Sequence, residues 1–173
     1  MGDLKLAFVD AYRPDSWAAA FTAVASSSAA LTGLLFVALS INLDKVIKGP
    51  GLVARAVEVL LLLVAVLVLA TLLLMPGQMV DAAAIEILVT AIVMSSLLGY
   101  IHVRAPRRAL GVTRANFVWR VVGDHMGPLF LVIGAVSLLT GNGGGLYWVV
   151  PALIAAMVAA IIGAWVLLVE IVR

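Results

Sequence analysis

Residues 19–43 read AAFTAVASSSAALTGLLFVALSINL, twenty-five positions without one charged side chain. At about 1.5 Å per residue a helix of that length covers the roughly 30 Å hydrocarbon core of a bilayer, so the stretch reads as a membrane-crossing helix. Within it Ala19, Thr22, Ser26, Ala29, Gly33, Phe36, Ser40 and Leu43 recur in steps of three and four, which gathers them into one seam along the helix. Six of these eight side chains are small. Such a seam has two uses: it lets another backbone approach closely, or it presents hydroxyls to water. As a pore lining, Thr22, Ser26 and Ser40 would form polar rings, with Phe36 as an apolar constriction. No acidic or basic ring sits at mid-span, although Asn42 and Asp44 at the inner mouth would favour cations.

The rest of the chain has the same character. Of its 173 residues 65% are hydrophobic and only 12% charged, against about 45–50% and 25% in soluble domains. The reading is a single all-α domain, a polytopic membrane bundle of five transmembrane helices over residues 16–43, 52–75, 80–103, 117–140 and 146–172. There is no cysteine, which excludes disulfides, thiolate metal sites, palmitoylation on Cys and cysteine catalysis. The opening MGDLKLAFVDAYRPDSW lacks a basic region leading into a short apolar core with a cleavage site, so the first span is expected to act as its own insertion signal.

Outward from the first span, residues 1–12 read as a short interfacial segment, Asp15 or Ser16 as the N-cap, and Trp17 as a headgroup-level aromatic. The polar DKVIKGPG at 44–51 leads to a span that is apolar all round from Leu60 to Leu74 except at Thr71. That span is therefore expected to face lipid over much of its surface, with Arg55 and Glu58, three apart near its start, paired at the interface. The third span carries Asp81 and Glu86 near its start and a separate Ser95, Gly99, His102 stripe. Residues 104–120, RAPRRALGVTRANFVWR, hold Arg104, Arg107, Arg108, Arg114 and Arg120 with Phe117 and Trp119 among them, and read as a segment lying on anionic lipid headgroups. Nucleic-acid binding would need such a patch on a soluble face and is not expected. Span four contains Pro128, with Gly127, Gly134 and Gly141 seven apart; span five repeats small residues at Ala152, Ala156, Ala160 and Ala164. Spans one and five are thus expected to supply the close helix contacts.

Nine lysines and arginines fall on one side of this five-span arrangement and Lys5 with Arg13 on the other. The bias sets the N-terminus outside and the C-terminus in the cytoplasm.

HExxH, GxSxG and a P-loop are all absent, and Ser26, Ser27 and Ser28 point three ways on a helix and are expected to bond to their own backbone one turn back. No enzyme and no cofactor is expected. Arg120 and Asp124, four apart, read as a pair. His102, Asp124 and His125 sit at the joined ends of consecutive spans, so the two imidazoles are placed to meet. They read as histidines bonded to headgroups or carbonyls, as a proton-responsive latch, or as metal or haem ligands.

The string ASSSAALTGLLFVALSINL, residues 25–43, resembles the first span of small, uncharacterised integral membrane proteins of high-GC, actinobacterial type, to which a protease-modulator label is sometimes attached. The resemblance implies a bacterial inner membrane and carries no activity with it. The functional expectation is a non-enzymatic homo-oligomer passing ions or small solutes along the first span. The alternatives are an accessory subunit packed on a partner membrane protein, or a lipid- or haem-binding protein.

Overall fold

The computed structural model describes residues 10–104 and 113–172. A 3-10 turn at Pro14–Trp17 leads into α1 (Ala18–Ile41), followed by the short α2 (Leu43–Lys48), α3 (Leu52–Leu72), α4 (Val80–Arg104) and α5 (Arg114–Thr140). A second 3-10 turn at Gly145–Trp148 precedes α6 (Val149–Val172). There is no strand among the described residues. Five helices, α1, α3, α4, α5 and α6, are long and apolar enough to cross a membrane.

Local chemistry sets their ends. Thr113 caps α5 by accepting from the Asn116 N–H, the helix-initiating role its short hydroxyl suits. Gly141 ends α5 in the left-handed region at φ 66°, its N–H returned to the last turn, where a Cβ would be strained. Asp15 and Ser16 do not cap α1 as expected. Pro14 starts a 3-10 turn there instead, and the Ser16 hydroxyl bonds to the Asp10 carboxylate.

Helices α3, α4, α5 and α6 form a closed ring in which each packs on the next and α6 returns to α3. Helix α1 lies outside the ring against α3. This corrects the expected packing order. The second span, as apolar as the last, is the most enclosed, half of its apolar window being buried, whereas only 17% of the first span's is. The reason is geometric: a helix apolar on every face can bury several faces at once, and α3 does so against α1, α4 and α6. Leu62, Leu69, Ile87, Leu98 and Leu167 are fully buried in the resulting core.

The small residues of α6 work as expected. Ala152, Ala156 and Ala160 are buried, and Gly127 of α5 lies so close that a Cβ there would stand 3.2 Å from the Ala152 carbonyl and 3.3 Å from the Ala156 methyl. Gly134 approaches Trp148 and Val149 in the same way. These are backbone-to-backbone contacts of the kind small residues permit in membranes.

Antiparallel connections bring the start of α3, the end of α4, the start of α5 and the end of α6 to one end of the bundle, together with Lys45, Lys48, Arg104 and Arg114. At the opposite end the N-terminal segment is strapped to the last loop. The Leu146 N–H donates to the Ala11 carbonyl at 2.8 Å, the Gly144 N–H to the Tyr12 hydroxyl at 3.1 Å, and Trp17 sits edge-on to Tyr147. Most of the expected interfacial segment at residues 1–12 lies outside the described residues.

Candidate functional site

At the basic end, inside the helices that form the ring, lies a cluster of charged side chains. Arg55 and Glu58 are three apart on α3, His102 is on the last turns of α4, Arg120 and Asp124 are four apart on α5, and Glu170 ends α6. Each helix runs opposite to its sequence neighbour, so these positions reach the same depth. The side chains of Glu58, Asp124 and His102 are only 4%, 6% and 7% exposed.

Arg120 holds Glu58 with two donors, Nε to Oε1 at 2.7 Å and Nη2 to Oε2. A bidentate guanidinium–carboxylate pair of this kind is the strong form of an ion pair. Arg55 Nη1 faces Glu170 Oε1 at 3.6 Å. His102 Nε2 lies 3.2 Å from Asp124 Oδ2 and 3.6 Å from Glu58 Oε2. Yet both ring nitrogens of His102 and Oδ2 of Asp124 are buried without a hydrogen-bond partner. The three groups converge without completing one another. The His102 ring is edge-on to Phe117 and its centroid is 5.6 Å from that of His125, whose Nδ1 lies 2.9 Å from the Val121 carbonyl. Pro128 has no N–H to return to the carbonyl of Asp124, so that acceptor lacks its own-helix donor one turn on.

Three carboxylates, Glu58, Asp124 and Glu170, stand against two guanidinium groups, Arg55 and Arg120. Before the imidazole is counted the cluster therefore carries one net negative charge, which a neutral His102 leaves in place and a protonated one cancels. An open cleft of about 350 Å³ at the basic end is lined by Asp44, Lys45, Lys48, Leu52 and Glu170, and Glu170 links it to Arg55 inside.

The sequence placed some of these residues and mispaired others. His102 and His125 come together as expected, and Asp124, expected to pair with Arg120, faces His102 instead. Arg55 does not pair with Glu58, nor Arg120 with Asp124: both pairings cross between helices, Arg55 to Glu170 and Arg120 to Glu58. Arg120 is accordingly turned inward rather than toward headgroups, while Arg104, stacked over the Tyr100 ring at 4.9 Å, and Arg114 are exposed. Arg107 and Arg108 lie outside the described residues. Glu170 had no reading in the sequence, although a lone carboxylate ending an apolar span at the depth of Arg55 is a signal for it.

The seam of the first span faces away from its own bundle. Thr22, Ser26, Ala29, Gly33, Phe36 and Ser40 are all exposed, and nothing lies within 4 Å of where a Gly33 Cβ would be. Helix α1 packs on α3 through a different face, with Phe21, Ser28 and Leu35. Within the chain the seam is therefore not the packing device. Ser28, expected to bond one turn back, donates instead across to the Leu63 carbonyl at 2.7 Å, whereas the seam hydroxyls of Thr22 and Ser40 do bond to carbonyls one turn back.

Set against known proteins, no family model matches the chain, and neither a curated protein nor a solved structure matches it.

Proposed function

We propose that this is a non-enzymatic, multi-pass protein of the bacterial inner membrane that takes up and passes cations through the buried Glu58–His102–Asp124 centre, with its basic end in the cytoplasm. Copies assemble into an oligomer along the outward seam of α1. One observation carries the reading: ionisable side chains from four of the five long helices converge inside the ring, with three carboxylates against two guanidinium groups and an imidazole whose nitrogens complete no hydrogen bond. Charges at that depth are costly and well-packed apolar residues would serve stability as well or better, so their presence points to a task. The cleft beside Glu170 supplies the aqueous approach. The expected pathway along the first span shifts to the ring interior, where the polar groups are, and the seam keeps the role of joining copies.

Purified protein in liposomes tests this by cation flux under an imposed potential. Asp124→Asn is expected to abolish flux with the oligomer unchanged on sizing. Flux that persists in Asp124→Asn, or no flux at any potential, refutes the proposal. A second reading, an accessory subunit docked on a different membrane protein, is favoured by the outward seam alone. It predicts no flux and loss of the partner when Gly33 is replaced by Leu.

A further inference from the structure

We infer that Glu58, His102 and Asp124 form a binding site for one divalent first-row transition-metal ion. The inference rests on the cation-handling reading above and names its ligand class.

Each of the three residues offers a ligand atom, and these atoms lie within 4.8 Å of one another, the spread of donors around a single ion. All three side chains are more than nine-tenths buried, and His102 Nε2 lies 3.2 Å from Asp124 Oδ2 and 3.6 Å from Glu58 Oε2 without a hydrogen bond to either. An ion between them satisfies the imidazole nitrogen and Asp124 Oδ2 together. The donor set selects the class. An imidazole with two carboxylates suits zinc, manganese or iron(II), whereas calcium requires six to eight oxygens and magnesium keeps most of its waters.

The surroundings fit a metal rather than compete with it. A carboxylate has about four lone-pair sites, so Glu58 can accept from Arg120 and still face an ion, which makes Arg120 the outer partner that orients a ligating carboxylate. The net negative charge of the three carboxylates over the two guanidinium groups offsets part of the ion's charge. Phe117 closes one side of the imidazole against water.

The test uses the full chain in nanodiscs, stripped with chelator and titrated with Co²⁺, whose visible d–d absorption reports protein nitrogen and oxygen ligands. One Co²⁺ per chain is expected, competed by Zn²⁺, with a rise in melting temperature on binding. His102→Gln and Asp124→Asn are expected to weaken binding by at least the 10–100-fold typical of losing an outer partner. Asp81→Asn, exposed at the far end of α4, leaves binding unchanged. Circular dichroism and sizing establish that each variant is folded. Should one of the two ligand variants unfold, the other decides. Absence of a stoichiometric band in the folded wild type, or equal affinity in folded His102→Gln or Asp124→Asn, overturns the site. Binding without flux keeps the metal site and removes the transport reading; flux without binding does the reverse.

Discussion

Replacing Glu58 by Gln removes the charge of the one carboxylate that Arg120 holds with two donors. The pair is built from side chains 12% and 4% exposed, so neither charge has bulk water to fall back on. At an effective dielectric constant of about 20, opposite charges about 4 Å apart attract by roughly 4 kcal/mol, and the measured consequence of breaking a buried pair from one side is about 3–5 kcal/mol. Glu58→Gln is therefore expected to destabilise the folded chain by about 3–5 kcal/mol, because Arg120 and Arg55 then face only Asp124 and Glu170. The double variant Glu58→Gln, Arg120→Met removes the stranded charge and is expected to recover most of that loss. The assay is reversible unfolding in mixed micelles on all four members of the cycle, which isolates the coupling between the two residues. A single-variant cost below about 1 kcal/mol, or a double variant no better than Glu58→Gln alone, would show that the pair is not sequestered and refute the reasoning.

Other outcomes follow from particular contacts. Ser28→Ala removes a single neutral hydrogen bond between α1 and α3 and is expected to cost about 0.6 kcal/mol, the average for interhelical hydrogen bonds in membranes, as read from the same unfolding curves. Gly127→Leu forces a side chain against the Ala152 carbonyl and the Ala156 methyl and is expected to cost about 1–3 kcal/mol or more through overpacking. Gly33→Leu, placed in open space, is expected to change unfolding by less than about 0.5 kcal/mol while lowering the oligomer fraction in crosslinking. Tyr12→Phe removes the acceptor for the Gly144 N–H, and faster hydrogen exchange is expected at Gly144, with exchange in α3 unchanged.

The five long helices were legible because uncharged runs of about 20 residues have few other interpretations, and their limits agree with the structure to within a few residues. The meeting of His102 with His125 was also legible, since antiparallel neighbours place their joined ends side by side. The packing order was not. Hydropathy ranks α3 and α6 equally as the most apolar spans, and in a bilayer that property fits a lipid-facing helix and a central one alike. Nor were the ion pairs legible. Spacings of three and four favour local partners such as Arg55 with Glu58, but such pairs contribute only about 0.2–0.5 kcal/mol on a helix surface. Once both residues are turned into a core, partners from other helices surround them and outweigh that preference. Glu58 and Arg120 are 62 residues apart, a separation that no local rule reaches.

The strap between the start of the chain and the loop before α6 has a consequence for biogenesis. Ala11 and Tyr12 emerge from the ribosome long before Gly144 and Leu146, so during synthesis their far-side bonds have no counterpart. The first helix can pack on α3 early, but its leading segment must wait until the loop before α6 has been made. Docking of that leading segment is then a late event, a clasp that fastens only around a completed bundle.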